Sequence, residues 1–200
     1  GNATGTIVID NQIVLKGDSD VVQTALAAVT NTGNAKITLD DAHTLSELKA
    51  INNATSGAIT LNTKTVALTG SASDVAAALT GITGYQGNIS LNSNHDLSEL
   101  KTINNAHTGA SLTLNTKTVA LSGSTADIKA AVAGISTYTG QVNLTDNADV
   151  EILASDINTI DGNATGTIVI DNQIVLKGDS DVVQTALAAV TNTGNAKITL

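Results

Sequence analysis

Residues 1–39 read GNATGTIVIDNQIVLKGDSDVVQTALAAVTNTGNAKITL, and residues 162–200 read the same, letter for letter. A perfect match of this length indicates a tandem repeat, and internal periodicity decides the architecture before any other feature. The offset between the two copies is 161 residues. We therefore expect a 161-residue block that recurs, sampled here for a little more than one period as a window from a longer protein.

The block itself divides into similar units. The phrase NTKTVAL occurs at residues 62–68 and again at 115–121, each time ahead of an alanine-rich stretch. The stretch IVLKGDSDVVQTALAAV at 13–29 follows the same plan. The predicted units are about 53 residues long, three per block: the end of a preceding unit at 1–9, unit 1 at 10–61, unit 2 at 62–114, unit 3 at 115–170 and the start of the next block at 171–200.

Composition limits the classes of protein that fit. The chain is 42% hydrophobic and 14% charged, so it is not expected to be disordered. Its net charge is −9 and no basic stripe is present, which argues against a nucleic-acid partner. The absence of cysteine excludes disulfides and thiolate metal sites, and methionine and tryptophan are also absent, which suits a long-lived extracellular material. No apolar run reaches the ~20 residues that a membrane span needs.

The first half of the unit at 62–114 predicts a strand followed by a helix. Residues 65–69 (TVALT) are rich in β-formers. Ser71 has the character of a helix N-cap, with Asp74 in the first turn, where the helix dipole favours an acid. The apolar residues that follow recur at the spacing of one helical face. They are Val75, Leu79 and Ile82.

The second half predicts strand, helix and strand. Residues 88–91 (NISL) form the first of these strands and 110–114 (ASLTL) the second. Between them, DLSE at 96–99 has the spacing of a capping box, as does TLSE at 44–47 in unit 1. The apolar stripe of this second helix consists of Leu97, Leu100 and Ile103.

The unit therefore predicts a β–α–β–α–β module of the α/β class. Strand–helix–strand segments of this length favour parallel crossovers. At 167–176 (TIVI-DN-QIVL) the apolar phase changes, and Asp171-Asn172 predicts a two-residue hairpin between units. Such small modules are expected to stack into a solenoid-like rod or filament, with a mixed, mostly parallel sheet that continues across the unit junctions. Discrete βαβαβ beads joined by hairpins, or a stacked α/β solenoid, are the alternatives.

No residue pattern predicts catalysis or cofactor binding. Serine, histidine and aspartate are present, but no nucleophile-elbow motif accompanies them. His43, His95 and His107 are the only imidazoles. The first two lie beside the predicted N-termini of the second helices in units 1 and 2, and we expect them to be solvated residues near a helix cap. We predict that the chain is not an enzyme.

Pairs of aspartates flank the strand-to-helix turns. Paired carboxylates can hold Ca²⁺ through their oxygens, but none of these pairs matches an EF-hand loop or a glycine-rich calcium repeat. Helix capping explains most of them. No cofactor is predicted, and calcium is the one alternative kept open, with these candidate ligands: Asp18, Asp20, Asp40, Asp41, Asp146 and Asp149.

Three phrases carry a resemblance to a known class of protein. DLSELKTINNA at 96–106, GAITLNTKTVALTG at 57–70 and SASDVAAALTGITGYQGNISL at 71–91 resemble repeats in very large bacterial cell-surface and secreted proteins, notably cyanobacterial ones. The resemblance implies an exported protein with an adhesive or sheath-like role. Such proteins often carry glycine-rich calcium repeats elsewhere, and this sequence has none.

The expected function is structural. We predict an extracellular filament, sheath or surface layer whose modules associate with themselves by stacking and sheet continuation, the alternative being the repetitive stalk of a cell-surface adhesin. The predicted location is extracellular or at the cell surface. In unit 2 the expected assembly core consists of Val66, Leu68, Val75, Leu79, Ile82, Ile89, Leu91, Leu97, Leu100, Ile103, Leu112 and Leu114.

Overall fold

A computed structural model describes residues 7–30, 33, 35–109 and 111–200. Within them the chain alternates short strands with short helices. The helices are α1 (Ser19–Ala27), α2 (Leu45–Ala54), α3 (Ala72–Leu79), α4 (Leu97–Ala106), α5 (Thr125–Val132), α6 (Ala154–Asn163) and α7 (Ser180–Ala189). The strands are β1 (Val14–Gly17), β2 (Lys36–Leu39), β3 (Ile59–Leu61), β4 (Leu68–Gly70), β5 (Ile89–Leu91), β6 (Leu112–Thr113), β7 (Leu121–Gly123), β8 (Val142–Leu144), β9 (Glu151–Leu153), β10 (Ile168–Ile170), β11 (Ile174–Lys177) and β12 (Ala196–Thr199).

The strands form four three-stranded sheets, in the orders β1-β2-β3, β4-β5-β6, β7-β8-β10 and β9-β11-β12. Every pair of these strands is parallel. In the first sheet, Ile37 lies between Leu15 and Ile59 in register, so apolar residues line up across the strands. The α/β class and the mostly parallel pairing predicted from the sequence are confirmed.

The hairpin predicted at Asp171-Asn172 is wrong. β10 and β11, on either side of it, lie in different sheets. The Asp171 N–H donates to the Leu144 carbonyl (3.0 Å), which continues the parallel pairing of β10 with β8 beyond the end of the strand. β11 is the central strand of its own sheet, with β9 on one side and β12 on the other. Because both of its edges are already paired, β11 has none left for β10.

The chain also does not form the expected continuous sheet at the first unit junction. β3 and β4 belong to separate sheets, although only six residues lie between them in the sequence. The Asn62 N–H still donates to the Leu39 carbonyl (3.0 Å), as if β3 ran one residue longer. The change of apolar phase in this stretch therefore marks the passage of the chain from one sheet to the next.

The chain divides into two compact units. One comprises residues 1–93 and 106–114, and the other comprises residues 94–105 and 115–200. Each has a core of aliphatic side chains packed between sheets and helices, and each core contains one buried tyrosine, Tyr85 in the first unit and Tyr138 in the second. The sequence-based boundaries of the repeat units stay predictions.

Most of the expected assembly core is buried. Three of its residues are partly exposed: Val66, Leu97 and Leu112. The other nine lie in the interior: Leu68, Val75, Leu79, Ile82, Ile89, Leu91, Leu100, Ile103 and Leu114.

The predicted helix caps are confirmed. The Ser71 hydroxyl accepts from the backbone N–H of Asp74 (3.1 Å) at the start of α3. At α2, the Thr44 hydroxyl accepts from the Glu47 N–H (3.2 Å), and the Glu47 carboxylate accepts from the Thr44 N–H (2.8 Å), which completes a capping box. The DLSE stretch at 96–99 makes the same reciprocal pair, at 3.0 and 2.7 Å. These side chains satisfy amide groups that a helix leaves unpaired at its first turn.

None of the helices in the described ranges is long and apolar enough to cross a membrane.

Candidate functional site

Two near-identical segments form the most elaborate side-chain contacts in the described part of the chain. They read HTLSELKAINNA at 43–54 and HDLSELKTINNA at 95–106, and they include α2 and α4. In the first, Leu45, Lys49 and Asn52 recur at i, i+4 and i+7, so they lie on one face of α2. That face meets α3, the next helix along the chain. We call the contacts made by each segment a helix clamp. One clamp joins α2 to α3 in the first compact unit, and the other joins α4 to α5 in the second compact unit.

A lysine holds the N-terminal end of the next helix. Lys49 forms an ion pair with Asp74 in the first turn of α3, and Lys101 forms the same pair with Asp127 in the first turn of α5. The hydrogen bond from the lysine ammonium, followed by that from the capping serine, lowers the pKa of the Asp74 carboxyl below its ordinary value. Both pairs are about 40% exposed, so water screens them and each contributes little to the stability of the fold. They orient the two helices more than they stabilise them.

An asparagine holds the C-terminal end of the same helix. The Asn52 side-chain amide donates to the carbonyls of Ala78 (2.9 Å) and Thr80 (2.8 Å) at the end of α3. The Asn104 amide donates in the same way to three carbonyls at the end of α5, those of Ala130 (3.0 Å), Ala131 (3.0 Å) and Ala133 (2.7 Å). The last carbonyls of a helix have no partner within it, so these amides complete α3 and α5 from outside.

A leucine packs against a glycine at the end of the preceding strand. Leu45 covers Gly70 at the end of β4, and Leu97 covers Gly123 at the end of β7. A Cβ atom at either glycine would overlap the leucine Cδ2 atom. Neither glycine has a positive φ angle, so what matters at these two positions is the missing side chain, which lets the leucine lie close to the backbone.

A buried histidine–tyrosine pair completes each clamp. His43 is 3% exposed and His95 is 4% exposed, so the prediction that they are solvated residues near a cap is wrong. The Nε2 atom of His43 lies 3.0 Å from the Tyr85 hydroxyl oxygen, and that of His95 lies 2.9 Å from the Tyr138 hydroxyl oxygen. His107, the third imidazole, is half-buried and its Nε2 atom lies 3.0 Å from the Gly87 carbonyl oxygen.

The tyrosine contacts fix the proton positions on the two buried imidazoles. The Tyr85 hydroxyl donates its only proton to the Val66 carbonyl (2.8 Å), and the Tyr138 hydroxyl donates to the Val119 carbonyl (2.7 Å). Each hydroxyl oxygen must therefore accept from the histidine, which places the imidazole proton on Nε2. The Nδ1 atoms of both histidines are buried, and neither has a hydrogen-bond partner.

Burial sets the protonation of both pairs. It lowers the pKa of His43 below its ordinary value, and the carboxylates of Asp41 and Glu47 oppose this only in part. Burial lowers the pKa of His95 in the same way, against the opposing charge of Asp96. It raises the pKa of the Tyr138 hydroxyl to about 12. Both groups of the pair are therefore neutral near pH 7, which suits a structural hydrogen bond.

Close backbone packing surrounds the tyrosines. Gly87 and Gly140 each lie two residues beyond a tyrosine, against the same carbonyl to which its hydroxyl donates. A Cβ atom at Gly87 would overlap the Val66 carbonyl oxygen, and one at Gly140 would overlap that of Val119. The glycine after each tyrosine thus allows two backbone segments to approach more closely than any other residue would.

The contact between α6 and α7 has no clamp, because clamp residues are replaced on both helices. At the place of Lys49, α6 has Asn158, whose amide donates to the Val182 carbonyl (3.1 Å) in α7. Val182 itself stands where α3 has Asp74. At the place of Tyr85, the segment after α7 has Val190. Donor and acceptor residues are therefore lost together.

Five of the six aspartates considered as calcium ligands have side chains engaged elsewhere. Asp41 accepts from the Ser19 N–H (2.9 Å) at the start of α1, and Asp146 accepts from the Thr125 N–H (2.9 Å) at the start of α5. Each thus caps a helix that precedes it by more than twenty residues. Asp20 accepts from the Val21 N–H, Asp40 from the Asn62 side-chain amide and Asp149 from the Lys197 ammonium. Asp18 stands at the N-cap position of α1, but its side chain makes no capping hydrogen bond. In the described ranges no three histidine, aspartate or glutamate side chains converge as a metal site.

One pattern in the sequence could have indicated the clamps: residues far apart in the chain occur together or are missing together. The lysine and asparagine of each LSELK-x-INN stretch are followed, after a similar interval, by an aspartate and a tyrosine. In unit 3 the second helix lacks the lysine, and the segment that follows it lacks the aspartate and the tyrosine. This joint loss points to contact between the two sets. Compared with protein-family models, curated proteins and solved structures, the chain matches none. Its geometry and its internal repeats therefore carry the functional argument.

Proposed function

We propose that this protein is a structural protein that forms an extracellular filament, sheath or surface layer. In this proposal, βαβαβ modules stack into a solenoid-like rod and associate with further copies of themselves. The observation that carries it is the pair of helix clamps. Two segments 52 residues apart make the same four contacts, through histidine, leucine, lysine and asparagine, with the helix and turn that follow each of them.

The clamps give the stacking a physical mechanism. The burial of aliphatic residues such as Leu48 and Ile51 supplies most of the stability, because each fully buried side chain contributes about 1.5–3 kcal/mol. The polar contacts choose which helix face meets which. When each module contacts its sequence neighbours alone, stability is a sum of nearest-neighbour terms and the array can extend without a fixed length.

The same contacts support a structural role more than a chemical one. The imidazoles, the clamp lysines and the helix-capping aspartates are engaged with neighbouring segments of the fold, many of them with backbone groups. Both buried tyrosines donate to main-chain carbonyls. We therefore propose no enzymatic activity, and the partner we propose is the protein itself.

Composition and resemblance support an extracellular location. The chain has no cysteine, methionine or tryptophan, so it lacks the side chains that are most readily oxidised. Its net charge of −9 favours solubility of long arrays. The LSELK-x-INN phrases resemble repeats of large bacterial surface proteins, which are exported.

Electron microscopy and analytical ultracentrifugation of the purified protein test the proposal. Regular fibres or sheets are the expected result. A protein that stays monomeric at every concentration contradicts self-assembly and favours the adhesin stalk. The Leu79→Asp variant places an unpaired charge in the core and should abolish ordered assembly, whereas Ser98→Asp, at an exposed site on α4, should leave it unchanged. Fibres of wild-type appearance from Leu79→Asp would contradict assembly through this core.

A further inference from the structure

The two identical stretches, 1–39 and 162–200, provide an internal comparison, because the same residues have different surroundings. Val14 is 64% exposed, whereas its counterpart Val175 is partly buried. Leu15 is partly exposed, and its counterpart Leu176 is fully buried. The first copy therefore leaves uncovered a set of apolar side chains that the second copy covers.

At the C-terminal end of the stretch, the first copy is the more buried of the two. Ile37 is 1% exposed, but its counterpart Ile198 is 52% exposed. Likewise Leu39 is fully buried, but Leu200 is 79% exposed. Among the described residues, neighbours thus cover the β2 side of the first copy and the β11 side of the second copy.

The second copy identifies what covers the first side. β9 lies along β11 in parallel register, with Glu151 beside Val175 and Ile152 beside Leu176. The Val175 N–H donates to the Val150 carbonyl (2.9 Å). Helix α6 follows β9 directly and packs on α7, the counterpart of α1.

In the part of the chain that the structure describes, the matching surface of the first copy has no such neighbour. β1 is an edge strand, and within the described ranges no strand pairs with the side of β1 opposite β2. Val21, which corresponds to Val182 on α7, is 61% exposed on α1. The backbone edge of β1 and the apolar residues beside it therefore form one continuous open face.

We propose that this open face, made of β1 and the exposed side of α1, is a docking surface for the β9–α6 segment (residues 151–163) of a second copy of this sequence. The segment binds in the register that β9 and α6 have on β11 and α7. The identity of the two stretches carries the proposal, since an identical surface accepts an identical partner. The inference rests on the proposed function, in which copies of the block associate, and it names the surfaces that meet.

Thiol reactivity tests the proposal in the intact chain. The protein has no cysteine, so each substitution introduces the only thiol. The thiol of the Val14→Cys variant should react with a maleimide at least about tenfold faster than that of Val175→Cys, because β9 and α6 shield the second site in part and full access requires β9 to open locally. The two sites have identical sequence neighbours, so they differ in structure alone.

The decisive variant carries residues 140–161 placed ahead of Gly1. Asp161 precedes Gly162 in the sequence, and Gly162 begins the second copy, so this extension reproduces the chain that leads into β11. In the extended Val14→Cys protein, the reaction of the thiol with maleimide should slow to the rate found for Val175→Cys. An extension with the same residues in scrambled order is the control, and it should leave the fast rate unchanged.

The outcomes separate this inference from the proposed function. A fast thiol in the extended Val14→Cys protein overturns the docking surface, even when the protein forms fibres. A protected thiol in a protein that forms no fibres upholds the docking surface and overturns the filament alone. An extension in which the counterparts of Ile157 and Ile160 are replaced by aspartate should fail to protect, because both isoleucines are fully buried in α6.

Discussion

The Tyr85→Phe substitution tests the histidine–tyrosine pair most directly. It removes one oxygen atom and keeps the ring that fills the core. The lost hydroxyl accepts from His43 at 3.0 Å and donates to the Val66 carbonyl at 2.8 Å, so the substitution leaves two polar groups without their partner. The imidazole N–H is buried, and the carbonyl is partly so.

The expected cost follows from those two groups. Each buried polar group left without a hydrogen bond costs about 1–3 kcal/mol, and the carbonyl stands at the lower end because water can reach it. We expect the free energy of unfolding to fall by about 2–4 kcal/mol. Urea denaturation followed by far-UV circular dichroism measures this. The only aromatic residues are Tyr85 and Tyr138, so the tyrosine fluorescence of the variant then reports on the second unit alone.

A double-mutant cycle shows whether the loss belongs to the pair. His43→Leu removes the buried N–H donor. In the double variant, Tyr85→Phe therefore no longer leaves that N–H without an acceptor. We expect a coupling energy of at least about 1 kcal/mol between the two sites. The reasoning is refuted if Tyr85→Phe costs less than about 0.5 kcal/mol, or if the two single losses simply add. Tyr138→Phe, in the equivalent pair, serves as an independent repeat.

Three further predictions address the other contacts. Gly140→Ala should destabilise the protein by about 3 kcal/mol or more, because the new Cβ atom overlaps a backbone carbonyl oxygen; Gly162→Ala, on α6 with open space around it, should be neutral or slightly stabilising in the same urea titration. Asn104→Ala should cost about 1–2 kcal/mol, because three helix-end carbonyls lose their donor, and an unchanged urea midpoint would rule out that role. Burial lowers the pKa of His43 and His95, so below the ordinary pKa of 6.5 the unfolded chain binds more protons than the folded chain, and the melting temperature should fall as pH drops through this range. In the His43→Gln/His95→Gln double variant the melting temperature should depend less steeply on pH. An equally steep dependence would contradict the role of the two buried histidines.

Local structure was predictable from the sequence where local rules decide it. The capping box at 44–47, the N-cap at Ser71 and the apolar stripe of α3 follow from short-range spacing, and each lies where the spacing places it. Parallel pairing followed from the length of the strand–helix–strand segments. These features depend on contacts within about ten residues or on chain length alone.

The long-range polar contacts were not predictable in this way. His43 meets a tyrosine 42 residues later, and nothing in its own segment distinguishes a buried imidazole from a solvated one beside a cap. The hairpin at Asp171-Asn172 failed for a related reason. The turn chemistry allows a hairpin, but β11 has parallel partners on both edges, and those partners lie more than twenty residues away in the chain.

The differences among the three units have a physical consequence for the proposed stacking. A slip by one unit would pair α2 with α5, and the clamp would survive, since Asp127 can replace Asp74. A further slip would set α2 against α7, where valine replaces both the aspartate and the tyrosine. The lysine would then lose its ion pair and the histidine would be buried without a partner, which costs several times more than the ion pair contributes. A slip by one unit already sets α4 against α7, so the two clamps together would favour a register of 161 residues over one of about 53 in the proposed array.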